Sequence, residues 1–288
     1  MSRIAYVNGH YQPLASAAVH IEDRGFQFSD GVYEVVFIQD GRPVDPDLHL
    51  ARLARSLREL RITPPMSDLA LRAVMAEVTR RNRLRSGLLY IQVTRGSAPR
   101  NHVFPPPGTP PSIVVTLRRA APMPASIEAW QCDAITVPDQ RWARRDIKSV
   151  SLLPNVLARQ AAKEAGALEA IMYDADGMVT EGASTSVFIV DANGTLRTRP
   201  LSHAILPGCT RAALIGDLVA DGLPISETSF TLDELRAARE VFITAATTFV
   251  KPVLRLDGAP VGDGTPGPVS RALFTLMHRH VTGARHNG

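Results

Sequence analysis

In "DLHLARLARSLRELRI" the residues Leu50, Leu53, Leu57 and Leu60 recur at helical spacing with Arg and Glu between them, which predicts an amphipathic helix. A second helix is expected over 69–82. Other stretches carry continuous or alternating apolar runs rich in β-branched residues, and these predict strands. "RIAYVNGHYQPL" sets Asn8-Gly9 between two such runs, and "GVYEVVFIQDGRPV" repeats the device at Asp40-Gly41. Both pairs suit the tight turn of a hairpin, because Asn, Asp and Gly tolerate positive φ. "GLLYIQVTRG" and "PSIVVTLRRA" follow as strands, separated by the proline-rich loop "APRNHVFPPPGTPP".

The segment "RRAAPMPAS" (118–126) has the composition of a linker. Beyond it the pattern predicts a strand at 134–137, then a helix capped by Asn155 and stopped by Gly166. "EAIMYDADGMVTEG", "STSVFIVDANGTLRT" and "EVFITAATTFVKPVLRLDG" alternate strands with turns at Asp176-Gly177 and Asn193-Gly194. "TRAALIGDLVADG" is a compact helix between them. The expected architecture is α+β in two domains: a smaller one over 1–120, and a larger one over 121–288 that carries Lys148.

Length and composition fit this picture. The chain has 288 residues, 45% of them hydrophobic and 21% charged, enough apolar material for two cores. The net charge of +4 is small for this length. No basic stripe interleaved with aromatics is present, which argues against a nucleic-acid partner or a membrane-surface binder. Cys132 and Cys209 are too few and too far apart for a disulfide framework or a zinc site, so no metal is expected. The N-terminal "MSRIAYVNGHYQPL" lacks the apolar core of a signal peptide, and no run of 18 apolar residues occurs. The expected setting is cytoplasmic, with no membrane association.

Lysine usage singles out one position. Only Lys148, Lys163 and Lys251 occur, and every other basic side chain among the 32 is Arg. Codon bias explains an overall Arg preference but not the lysines that remain. Arg stays protonated in proteins, whereas Lys can become a neutral, nucleophilic amine. Lys163 falls in "AAKEAG" on a helix, where a solvent-facing role is expected. Lys148, in "RRDIKSVSLLPN", lies in a polar loop beside a strand-like segment.

Three further features bear on Lys148. In "ILPGCTRAALI", Gly208 permits a tight turn and Thr210 is a good cap for the following helix. Free N–H groups at such a start, with the hydroxyl, suit an anion, although capping is the ordinary task of such a Thr. In "VTEGAST", Glu181 follows a strand and precedes a turn of small residues, where its carboxylate can point inward or lie on the surface. In "TRGSAPRNHVF", Arg100 and His102 stand two apart, so in an extended loop they share a side and could grip a carboxylate. The ordinary alternative is a mobile basic loop. A nucleophilic Lys, an anion site at a helix start and an inward acid together match the needs of pyridoxal phosphate.

At these residues the chain resembles the fold-type IV pyridoxal-phosphate aminotransferases, and most of all their D-amino acid branch. The resemblance runs nearly end to end, through "EDRGFQFSDGVYEVV", "HLARL", "YIQVTRGSAPRNHVFP", "RWARRDIKSVSLLPNVLARQAAKEAGALEAI", "VTEGASTSVFIV" and "ILPGCTRAALI". It implies that Lys148 forms the Schiff base and shuttles the substrate α-proton, and that Glu181 partners the pyridine nitrogen. It further implies phosphate contacts from Arg52, Cys209 and Thr210, with Leu206 packed on the ring face. The family's remaining phosphate contact, a Ser/Thr-rich turn, falls at Ala245 and Ala246, so any contact there must come from backbone N–H groups. "ASTS" at 183–186 stands where relatives often carry "SSSN".

Tyr33, Arg100 and His102 correspond to the trap for the substrate carboxylate, with the Arg-x-His loop supplied by the neighbouring subunit of a homodimer. The implied activity is transfer of the amino group of a D-amino acid, such as D-alanine, to 2-oxoglutarate or pyruvate. Branched-chain L-amino acid transaminases, (R)-amine transaminases and aminodeoxychorismate-lyase-type enzymes share the cofactor residues and are the alternatives.

Overall fold

The computed structural model describes residues 3–222 and 224–283. The chain divides into two compact units. One comprises residues up to Pro122 together with Ile147–Ser151, and the other Met123–Asp146 with everything from Leu152 onward. The boundary falls two residues after the expected one at 120/121, and one further segment changes sides. Lys148 and its neighbours belong to the first unit because they pair there: Tyr33 N–H donates to the Lys148 carbonyl, and Val150 N–H to that of Gly31.

In the first unit the elements run β1 (Ile4–Val7), β2 (His10–Pro13), α1 (Arg24–Phe28), β3 (Gly31–Gln39), β4 (Arg42–Pro43), α2 (Pro46–Glu59), α3 (Asp68–Asn82), β5 (Gly87–Thr94) and β6 (Ser112–Arg119). They form a six-stranded sheet in the order β2-β1-β6-β5-β3-β4, antiparallel at every pairing. Both expected hairpin turns are present. Asn8 and Gly9 have φ of 46° and 97°, and Asp40 and Gly41 have 51° and 80°, the left-handed pair that matches strand twist.

Helix α2 buries Leu50, Leu53 and Leu57 as its spacing predicts, in one core with Val36 and Ile38 of β3, Leu89 and Ile91 of β5, and Val74 and Val78 of α3. Ile147 joins this core, which holds the Lys148 segment in place. Helix α3 starts on Ser67, whose hydroxyl accepts from Ala70 N–H, and ends on Arg83 in the left-handed conformation.

The second unit contains β7 (Cys132–Pro138), α4 (Leu153–Glu164), β8 (Glu169–Tyr173), β9 (Val179–Gly182), β10 (Ser186–Val190), β11 (Leu196–Thr198), α5 (Cys209–Ala220), α6 (Leu232–Arg236), β12 (Glu240–Ala245), β13 (Phe249–Leu256), β14 (Ala259–Pro260) and α7 (Pro268–Thr282). The main path of its sheet is β11-β10-β12-β13-β7-β8-β9, with β14 paired to β13. β7 runs parallel to both β13 and β8. A parallel neighbour needs a crossover, and α4 lies in the one between β7 and β8. Phe188 and Phe242 stack at 5.0 Å on paired strands of this sheet.

Two expected helix caps are corrected. α4 begins at Leu153, two residues before Asn155, and the Asn155 side chain donates instead to the Ala183 carbonyl. α5 is capped by Gly208, with Thr210 buried inside its first turn. A Cβ at position 208 would come within 2.8 Å of Ser186 Oγ, so the chain approaches β10 at a place that suits Gly. Helix α7, absent from the expected elements, buries Leu273, Phe274, Leu276, Met277 and Val281.

Candidate active site

In the first unit, β3 sends alternate side chains to opposite faces. Tyr33 therefore emerges on one side and Glu34 on the other. The Lys148 amine stands 4.3 Å from the centre of the Tyr33 ring. No ion pair or side-chain hydrogen bond engages that amine among the described residues. Its backbone N–H donates to Ser56 Oγ on α2. Strand pairing on one side and a helix hydroxyl on the other thus fix the lysine's main chain and leave its amine with the Tyr33 ring and no hydrogen-bonding or acidic partner.

Glu34 is fully buried and receives two hydrogen bonds from Arg52, at 2.8 Å each, and one from His49 at 2.7 Å. Burial alone would push the Glu34 carboxyl up, but the Arg52 charge and the hydrogen bonds from Arg52 and His49 hold it at about 2. The two ends of Arg52's fork are locked by this carboxylate, which fixes the plane of the guanidinium.

Arg100 and His102 lie in the loop after β5, with exposed side chains. Both rest on Phe28 of α1: the Arg100 guanidinium is 4.5 Å from the ring centre, and the His102 ring packs at 5.3 Å. The two side chains therefore do converge, on an aromatic ring that sequence reasoning did not single out.

In the second unit, Glu181 on β9 is buried, as an inward carboxylate requires. Arg141 donates to its Oε1 at 2.5 Å, and the Leu206 N–H lies 3.1 Å from each of its oxygens. Arg141 is shared. Its Nε and second amino group bond Asp139, which also accepts from Thr180 and has the Arg145 guanidinium 3.2 Å away. Burial pushes the Glu181 carboxyl above its ordinary value, and the one Arg141 nitrogen left by Asp139 does not reverse this. Arg141 and Asp139 were not singled out in the sequence. They stand seven and nine residues before Lys148 in the same "DQRWARRDIK" stretch.

Leu206, Cys209 and Thr210 lie together at the start of α5, where no side chain caps the helix. The first-turn N–H groups of a helix and its dipole favour an anion. Ala245 closes β12 and its carbonyl accepts from Thr248 N–H, with Ala246 in the turn between them. One strand position earlier, Thr244 Oγ1 is buried without a hydrogen-bond partner. Thr244 pairs directly with Ser186 across the sheet, so their side chains share a face.

A phosphorylated aldehyde with a basic ring needs a reactive amine, donors for a dianion and an acid for the ring nitrogen. Taken unit by unit, the first has the Lys148 amine without an acidic partner, and the second has the α5 start beside the Thr244 hydroxyl and the buried acid Glu181. These side chains are of the chemical kinds such a group needs. Among the described residues, no cluster of His, Cys, Asp and Glu could hold a metal ion, and no helix is long and apolar enough to cross a membrane.

The family model described as amino-transferase class IV matches residues 31–256. The chain belongs to the class IV aminotransferases. It is 41% identical over 274 residues to the D-alanine aminotransferase of Bacillus licheniformis, covering 95% of each chain. Identity to that of Listeria monocytogenes serotype 1/2a is 38% over 279 residues, with 96% of each covered. Among solved structures it resembles the Escherichia coli branched-chain amino acid aminotransferase, with a TM-score of 0.88 at 25% identity over 100% of this chain and 97% of that one. It also resembles the T.th. branched-chain amino acid aminotransferase complexed with N-(5'-phosphopyridoxyl)-L-glutamate, with a TM-score of 0.85 at 27% identity over 99% of this chain and 95% of that one.

Proposed function

We propose that this aminotransferase moves the amino group of a D-amino acid, D-alanine among them, to 2-oxoglutarate or pyruvate, with pyridoxal phosphate as cofactor. The observation that carries the chemistry is the Lys148 amine, held without an acidic partner against the Tyr33 ring in a chain that uses three lysines in all. The near full-length similarity to D-alanine aminotransferases supports the choice of substrate.

When bound, pyridoxal phosphate supplies an aldehyde for amines and an electron-poor ring that stabilises charge at the substrate α-carbon. Lys148 would hold it covalently and carry the α-proton on and off as a general base and acid. Glu181 would face the ring nitrogen, where a protonated partner supplies the positive charge that the shared Arg141 leaves wanting. Arg52, fixed in plane by Glu34, would bind the phosphate with Cys209, Thr210 and the backbone N–H groups at Ala245 and Ala246. Leu206 would pack against the ring. Tyr33 would meet the substrate carboxylate, together with Arg100 and His102 from the second copy of a homodimer. Cys132 and Cys209, both buried and not joined in a disulfide, accord with a cytoplasmic setting.

Assay of the cofactor-loaded protein with D- and L-alanine, each paired with 2-oxoglutarate, tests the proposal. The D-enantiomer should be favoured in kcat/KM by about a hundredfold or more, because a site built for two charged groups and one methyl reads the α-carbon's hand. Equal rates, or a preference for L-alanine, would overturn it. The likeness to branched-chain aminotransferases favours a second reading, for which L-leucine in the same assay is the discriminating substrate.

A further inference from the structure

The Arg100–His102 loop carries two donors and no acid of its own, so something else must hold those side chains side by side. The strand before it ends at Thr94, whose hydroxyl donates to Asp23, the residue that caps α1 through Gly25 N–H. The next residue after that cap is Arg24, which is 3% exposed. Its Nε donates to Asp30 at 2.8 Å, one amino group to the Asn101 carbonyl at 2.6 Å, and the other reaches the His102 carbonyl at 3.5 Å. The same guanidinium lies 4.9 Å from the centre of the Phe28 ring. Arg24 therefore holds the loop's main chain at the carbonyls of Asn101 and His102, on either side of the His102 residue, and α1 carries the ring on which Arg100 and His102 rest.

A second anchor holds the far end of the loop. Arg95 bonds both oxygens of Asp30 and the carbonyls of Leu60 and Arg61, and its guanidinium lies 3.7 Å from the Phe104 ring centre. Asp30 thus joins the two arginines, each of which grips one part of the loop. Arg100 and His102 have no ion pair or side-chain hydrogen bond among the described residues, so their donors stay available.

We propose that Arg24 is a positioning residue for substrate: through Asn101, His102 and Phe28 it presets Arg100 and His102 as a ready-made grip for the carboxylate. A long Arg side chain ordinarily loses rotamer freedom when it engages a ligand, and stacking it beforehand moves that cost from binding to folding. The inference rests on the reading of Arg100 and His102 as carboxylate ligands. It adds to that reading the residues that set the ligands' geometry.

The test uses the cofactor-loaded enzyme and the variants Arg24→Met, Arg24→Lys, Phe28→Leu and Arg100→Met. KM and kcat for D-alanine are measured beside the rate at which hydroxylamine, a nucleophile with no carboxylate, removes the cofactor's absorbance band. Arg24→Met should raise KM roughly tenfold or more, since small misplacements of a binding group are costly. Phe28→Leu should raise it about two- to fivefold through loss of the cation–π contact. Arg24→Lys should fall between them, because a single ammonium cannot serve Asp30 and two carbonyls. The hydroxylamine rate should stay within about twofold in all four variants, because it uses no carboxylate grip.

If Arg100→Met raises KM while the Arg24 and Phe28 variants do not, the inference fails and the grip stands. An unchanged KM in Arg100→Met removes the grip and the inference with it. A parallel change in the hydroxylamine rate marks Arg24 as merely structural and also overturns the proposal. Should Arg24→Met fail to fold, Phe28→Leu and Arg24→Lys decide by the same readouts.

Discussion

Glu34 and Glu181 are both buried glutamates bonded to an arginine, yet their acidities diverge. Glu34 has both nitrogens of the Arg52 fork, one to each oxygen, and a histidine as well. Its carboxyl is held at about 2. Glu181 has one nitrogen of an arginine whose other two are taken by Asp139, and burial carries it above its ordinary value. What separates them is that Arg52 gives Glu34 two hydrogen bonds, whereas Arg141 gives Glu181 one and spends its other two nitrogens on Asp139. The first cluster is saturated and serves to hold Arg52 rigid. The second leaves Glu181 one arginine hydrogen bond and a raised carboxyl value, which accords with its proposed place facing a protonated ring nitrogen.

The largest effect is expected from removing the shared cation. Arg141→Met leaves Glu181 buried without its arginine and Asp139 with only the Arg145 charge, and breaking a buried pair in this way costs about 3–5 kcal/mol. Urea unfolding of the cofactor-free protein measures it; a loss under about 1 kcal/mol would mean that the cluster is not a working ion network.

A somewhat smaller effect separates the two glutamates by pH. The folded-state value of Glu34 lies below the ordinary 4.5, so its contribution is fully present above pH 4.5 and fades as pH falls towards 2. The amount is on the order of 3 kcal/mol. Glu34→Gln should flatten this part of the stability-versus-pH curve, and an unaltered slope would contradict the assignment. For Glu181 the sign is opposite, because a raised carboxyl value favours the protonated fold at low pH. Glu181→Gln should therefore cost the cofactor-free protein less at pH 7 than Glu34→Gln does, by about 1 kcal/mol or more. Equal losses would erase the distinction between the clusters.

Much of this was legible in the sequence where the signal is local. Asn8-Gly9 and Asp40-Gly41 announced their turns because few residues tolerate those φ values, and Leu50, Leu53 and Leu57 announced α2 by spacing. Lys148 stood out by scarcity. The caps misled because Asn155 and Thr210 are good local caps that tertiary partners override: Ala183 captures the Asn155 side chain, and the close approach of Ser186 moves the α5 cap to Gly208. The clusters were beyond reach for another reason. Arg141 meets Glu181 across 40 positions and Arg24 meets Asn101 across 77, and no periodicity encodes such pairings. Helix α7 carried a helical apolar spacing that could have revealed it.

The central claim concerns one amine. Borohydride reduction of the cofactor-loaded protein, followed by digestion and mass spectrometry, should place a phosphopyridoxyl group on the peptide that contains Lys148. A modification found on the Lys163 or Lys251 peptide instead, or on none of the three, would contradict the account.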